Sequence, residues 1–427
     1  MHASAPPPDS AATPENPAGP SRRQMLPVFG AAALAGVVPA LGSASPASAA
    51  SAAAAPASAA AAGRTSGRAG APRAVYVGGY AGGPGAPAGL AAFRMAGDGR
   101  LTPIQEVPGV ANPSWLAVHP RLPVLYAVCE VSTWNGQKGG GVVSYAIDTA
   151  TGELTRTGDQ PVPGVPAHGA LDERGDHLIV ANYGGATFAV VPLGADGTPS
   201  PVSDTVTVTG TGPAPERQTG PHPHQVAFDP AYGHVFGADL GTDRVWAWKL
   251  DAEAGKLTPN PLPFLQVASG SGARHLAFHP SGRFVYVVNE LTSSVTAFTY
   301  DAERGTFRWL QTAGTLPRGF TGESYCAEVA VHPDGRTVYV SNRGHDSIAR
   351  FAVGADGRLD LRETTATGGA WPRHFALAPG GGVLLVANQN SDDVVSFRVT
   401  RSGALRRTDA TAAAPSPACV AFGGVLP

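Results

Sequence analysis

The stretch RHLAFHPSGRFVYVVNE, residues 274–290, decides the fold because the chain writes it repeatedly. The same seventeen-residue phrase, with no internal gap, stands as SWLAVHPRLPVLYAVCE at 114–130, HQVAFDPAYGHVFGADL at 224–240, AEVAVHPDGRTVYVSNR at 327–343 and RHFALAPGGGVLLVANQ at 373–389. A weaker copy, AHGALDERGDHLIVANY, occupies 167–183, and a truncated one, ACVAFGG, begins at Ala418. The copies start at 114, 167, 224, 274, 327, 373 and 418, roughly fifty residues apart, which is the period of a supersecondary array. Within a unit, an apolar strand (HLAFHP from His275) meets a short turn and a second strand (RFVYVVN from Arg283). A third strand (VTAFTYD from Val295) and a less regular fourth (TFRWLQT from Thr306) follow. Seven such units predict an all-β fold, a seven-bladed β-propeller with four antiparallel strands per blade.

The ends of the array close the ring. VYVGGY from Val75 matches the second strand of the phrase and ACVAFGG matches the first, so one blade is expected to be built from both termini, leaving no open edge. The fourth phrase position is alanine in every copy, from Ala117 and Ala170 through Ala227, Ala277, Ala330 and Ala376 to Ala421. A small side chain is required where inner strands crowd the axis, and the bulkier Phe228, Phe278 and Phe375 are expected to fill the space between blades.

The 427 residues divide into a leader at 1–49, an Ala/Ser/Gly/Pro linker at 50–73 and one propeller domain at 74–427. The leader carries a twin arginine (Arg22, Arg23), a short apolar stretch broken by Pro39, and Ala-Ser-Ala at 47–49, the layout of a twin-arginine export signal. That predicts the twin-arginine translocon as a transient partner, extracellular or cell-envelope localisation, and no membrane anchor after processing. The linker is too poor in large apolar residues to bury a core and reads as disordered. Net charge is −2 with basic residues scattered, which argues against nucleic acid and for a small-molecule partner of a monomer. Cys129, Cys326 and Cys419 are too few for a disulfide framework and read as small buried hydrophobes.

The turn between the first two strands lies at one face, so phrase positions one, two, sixteen and seventeen cluster at the other, around one mouth of the channel. Ionisable residues concentrate there: His224, Arg274 and Arg373 at position one; His168, His275, Glu328 and His374 at position two; Glu130, Glu290 and Arg343 at position seventeen. The asparagines of position sixteen (Asn182, Asn289, Asn342, Asn388) read as local strand-end bonds. At the opposite face, His119, His279 and His332, with Asp229 in the equivalent place, precede prolines and read as braces of the first turn. His222, His224 and Asp239 invite a metal reading, but Pro223 separates the two histidines and no second spaced pair or acidic cage accompanies them, so neither metal nor cofactor is predicted.

These phrases, above all RHLAFHPSGRFVYVVNEL, EVAVHPDGRTVYVSNRGHDSIARF and RHFALAPGGGVLLVANQNSDDVVSF, resemble the lactonase family of seven-bladed propellers, which includes 6-phosphogluconolactonases and carboxymuconate-cyclising enzymes. The resemblance runs from Ala74 onward and implies metal-independent hydrolysis of a sugar-acid lactone. That chemistry needs a base for water, donors for the oxyanion and cations for an anionic substrate group. Glu328, Glu290 and His275 are the candidate bases; Arg274, Arg343 and Arg373 the anion binders; His224 and His374 the oxyanion donors. An exported protein would not meet a phosphorylated cytoplasmic lactone, so an unphosphorylated one is expected. A non-catalytic extracellular propeller that binds sugar or protein, and a muconate-type lactonising cyclase, are the alternatives.

Overall fold

The computed structural model describes residues 71–427 apart from position 84, so the leader (1–49) and all but the end of the linker lie outside the described residues. Strands are the only regular elements described, and they form seven four-stranded antiparallel sheets plus one small hairpin. The innermost strands are Pro113–Val118, Val165–Leu171, Pro223–Phe228, Ala273–Phe278, Tyr325–Val331, Pro372–Leu377 and Pro417–Val425, which define blades 1 to 7. Each touches the next around a closed circle, the last returning to the first.

Blade 7 closes the ring as the sequence predicts. Its inner strand, Pro417–Val425, pairs antiparallel with Arg73–Gly79, placing Ala421 opposite Tyr76, and two further strands (Leu90–Met95 and Leu101–Val107) complete the sheet. Apolar clusters fill every space between neighbouring sheets, with Phe228, Phe278 and Phe375 in them. Cys129, Cys326 and Cys419 are free and buried, and burial pushes the Cys326 thiol up to about 12, so none is a poised nucleophile.

Neighbouring blades are also stitched by a tyrosine device that the phrase conceals. The hydroxyls of Tyr76, Tyr126, Tyr286 and Tyr339 donate to the carbonyls of Gly152, Gly197, Gly357 and Gly403 at 3.2, 2.8, 3.2 and 2.6 Å, each in the following blade. At the face carrying the first turns, His119 Nδ1 accepts the amides of Arg121 and Leu122, while its Nε2 sits 3.1 Å from the Gly175 carbonyl of blade 2. His279 repeats this with Gly335 of blade 5 at 2.8 Å. These turns require glycine twice over: Gly175 and Gly335 have φ of +77° and +73°, and a Cβ would lie 2.2 and 2.7 Å from the histidine ring.

At the other face the repeated asparagines bond locally, as predicted. Asn182, Asn289 and Asn342 each reach the hydroxyl five residues on (Thr187, Ser294 and Ser347), and Asn388 reaches the Asp393 carboxylate. Every inner strand carries a register shift at phrase position one, seen between Ala273 and His275, Pro223 and Gln225, and Pro372 and His374. The same irregularity recurs in blades 1, 2, 5 and 7. Alternation along a strand would send positions one and two to opposite sides; a bulged residue re-aims its side chain, so both can serve the mouth.

Candidate functional site at the mouth of the channel

The mouth is a cleft of about 290 Å³ walled by Tyr80, Glu130, Tyr183, Arg217, His224, Glu290, Arg343, Arg373 and Gln389. Below it lies a chamber of about 10 Å³, room for a single water, lined by Trp115, Arg274, His275 and His374 among others. Tyr80, Glu130, His224 and Arg373 line both levels. Seven of the eight predicted site residues line one or both of these spaces, and the eighth, Glu328, contacts two of them, His275 and His374.

Glu290, the residue after blade 4's second strand, is the centre of a charge cluster. Its Oε2 lies 2.8 Å from Arg343 Nη2 and 3.0 Å from Arg274 Nε, although that N–H is not aimed at it; its Oε1 accepts from Arg217. Burial alone would raise the Glu290 carboxyl, but the guanidinium groups of Arg343, Arg274 and Arg217 outweigh it and hold the group at about 2. A carboxylate so stabilised is a poor proton acceptor near neutral pH, so Glu290 is suited to position arginines and not to serve as a base.

The predicted anion binders separate by depth. Arg274 is 2% exposed, spends one nitrogen on the Ala327 carbonyl at 2.7 Å, and is pushed down to about 9 by burial and then by Arg343 and Arg373. Arg343, held by the carbonyls of Tyr325 and Cys326, and half-buried Arg373, whose guanidinium lies 4.8 Å from the Tyr80 ring centre, form the walls. Sequence reading missed a fourth cation, Arg217. It arrives on the segment between blade 2's short outer strand, Asp204–Thr207, and blade 3, pinned by buried Gln218, which bonds the Leu240 carbonyl and Asp243. The available signal was spacing, since the interval from 167 to 224 is the longest in the array.

Glu328 is buried, 6% exposed, and lines neither of these two spaces. Its Oε2 is 3.0 Å from His275 Nδ1 and 3.5 Å from His374 Nε2, and Oε1 accepts the Val329 amide at 3.0 Å. On its far side, His275 Nε2 is 3.1 Å from His224 Nδ1. Burial raises the Glu328 carboxyl against the opposing pull of His374 and Arg274. Burial, followed by Arg274, pushes His224 and His275 well below the ordinary imidazole value, and burial takes His374 to about 4. Trp115 stacks on His168 at 3.8 Å and meets His275 and His374 edge-to-face at 5.9 and 5.3 Å, so an indole walls one side of the imidazoles.

The residues of the metal reading do not converge. Asp239 is consumed by the amides of His222 and Gly241, the Thr242 hydroxyl and the Trp246 indole, while the His222 ring stacks on Tyr183. Among the described residues no group of three or more His, Cys, Asp or Glu side chains is arranged to hold a metal ion.

Comparison with known proteins agrees with this geometry. Residues 74–422 match the family described as lactonase, seven-bladed β-propeller. The chain belongs to that family. It is 38% identical over 269 residues to 6-phosphogluconolactonase of Bacillus subtilis, covering 62% of this chain and 74% of the relative. The enzyme of the same name from Serratia proteamaculans is 32% identical over 270 residues, with the same coverage of 62% and 74%. The solved structure of a periplasmic gluconolactonase from Pseudomonas aeruginosa superposes with a TM-score of 0.76 at 32% identity, covering 83% of this chain and 99% of that one.

Proposed function

We propose that the mouth hydrolyses the lactone of a sugar acid. The observation that carries this reading is the juxtaposition of a carboxylate-backed histidine pair with a cleft walled by three arginines. Hydrolysis develops negative charge on the carbonyl oxygen, and guanidinium groups already in place before reaction stabilise such charge without reorganising. Arg343, Arg373 and Arg217 are assigned to the anionic part of the substrate and His374 to orienting Glu328. Glu290 holds the arginines in place. The names of the relatives, a 6-phosphogluconolactonase and a gluconolactonase, fit this assignment. Assay of the purified protein against phosphorylated and neutral aldonolactones tests it, with hydrolysis of at least one expected. Failure on every lactone would leave a binding propeller. Neither activity nor folding is expected to change when a chelator is added, and activity lost to chelator and restored by Ca²⁺ or Zn²⁺ would contradict that.

Export is part of the same proposal. Arg22 and Arg23 lie outside the described residues, and the reading rests on the leader's sequence and on a periplasmic structural relative. Replacing both by lysine should leave an unprocessed precursor in the cytoplasm, as followed by fractionation and immunoblotting.

A further inference from the structure

Three side chains from three consecutive blades form an unbroken line. Glu328 of blade 5 meets His275 of blade 4 at 3.0 Å, and His275 meets His224 of blade 3 at 3.1 Å. Of the three, His224 lines the mouth, His224 and His275 line the chamber, and Glu328 lines neither of these two spaces. We propose that the line is a proton relay in which His224 Nε2 is the group that exchanges protons with substrate and Glu328 is the store. The proposal rests on the lactonase reading and replaces Glu328 as a direct base with Glu328 as a positioning and proton-holding residue.

Hydrogen-bond accounting supports it. An ionised Glu328 only accepts, so His275 must carry its proton on Nδ1 and offers a bare Nε2. That lone pair can be met only by a proton on His224 Nδ1, which leaves His224 Nε2 bare. His374 is fixed independently: its Nδ1 accepts the Val420 amide at 3.2 Å, placing its own proton on Nε2, toward Glu328. In the forward step, water attacks the lactone carbonyl and gives its proton to His224 Nε2. His224 passes its Nδ1 proton to His275 Nε2, and His275 passes its Nδ1 proton to Glu328. When the tetrahedral intermediate collapses, the ring C–O bond breaks and the departing oxygen takes the proton from His224 Nε2 as the line runs back.

The surroundings explain why a relay is needed. Arg274, Arg343 and Arg373 face the two rings, offset in part by Glu290 and by Glu130, which accepts from the Tyr80 hydroxyl, and neutral His168 and His374 close the remaining sides. An imidazolium there would be a buried cation among guanidinium groups. Passing the proton through leaves both rings neutral before and after, and the charge change falls on a carboxylate already disposed to be neutral by burial.

The test is imidazole nitrogen NMR of the full-length protein through a pH titration. At high pH, His224 and His275 should both be protonated on Nδ1. As Glu328 takes up its proton, both should switch together to Nε2, with neither ring becoming a cation. Separate switching, no switching, or an imidazolium in that range would overturn the relay. Glu328→Gln should abolish the switch. In turnover, His224→Gln and Glu328→Gln should each lower kcat about a hundredfold with KM little changed, and the double variant should be no worse than the poorer single one. Glu328→Gln should also remove the carboxyl limb from the pH profile of kcat/KM, which a purely structural role would not do. Retention of normal kcat by His224→Gln, in a protein that hydrolyses lactones, would sink the relay and spare the lactonase reading. A wild type that hydrolyses none would sink the lactonase reading and the catalytic role, with the relay then decided by NMR.

Discussion

Histidine serves opposite purposes at the two faces of this ring. On the turn face, His119 and His279 occupy one phrase position and bond to backbone, binding blades 1 and 4 to the turns of blades 2 and 5. At the mouth, His224 and His275 sit at or beside bulged positions and bond to other side chains across blades. The difference teaches that recurrence at one register marks a demand several blades share, whereas variation at a common register marks a site that the ring assembles once. The faces should therefore fail differently when broken.

The largest effect is expected from Glu290→Gln. Removing the carboxylate that bridges Arg274 and Arg343 leaves buried cations unpaired, a loss of about 3 kcal/mol by denaturant unfolding at neutral pH. Because Glu290 is depressed from 4.5 to about 2 in the folded state, its stabilisation is complete above the unfolded value and drains away as pH falls toward the folded one. The gap between wild type and variant should accordingly narrow in acid. On the turn face, Gly335→Ala forces a side chain onto a backbone at φ +73° and into the His279 ring, which should cost about 1–3 kcal/mol and leave kcat at the wild-type level. The smallest structural effect belongs to Arg217→Ala, whose side chain is 39% exposed: stability should stay within about 0.5 kcal/mol. Its signature should be kinetic, with KM for a phosphorylated lactone rising about tenfold, the worth of one charged hydrogen bond, and KM for a neutral lactone barely moving.

The architecture was legible because a repeat advertises itself: the phrase set the blades, Ala74 to Phe422 marked the array, and the match of VYVGGY with ACVAFGG revealed the closure. Registers also placed Glu328, His275, His224 and the arginines at one mouth. Charge environment was not legible. Whether a carboxylate sits among guanidinium groups or against imidazoles depends on bulges and on which neighbouring blade supplies a partner, which no single copy of the phrase records. Glu290 and Glu328 looked equivalent in sequence, yet three guanidinium groups around one and two imidazoles on the other give them contrary acidities. Arg217 escaped because it lies between copies, where no register applies, and the Thr133–Trp134 and Gln137–Lys138 hairpin of blade 1 escaped for the same reason.

The closing strand, Pro417–Val425, supplies the Val420 amide that fixes the His374 ring, and pairs with residues more than three hundred positions earlier in the chain. Contacts of such sequence separation form late because loop closure opposes them. Docking of that strand is thereby tied to the site: until it pairs, the last histidine is not set against Glu328, so competence for chemistry should arrive only with completed topology.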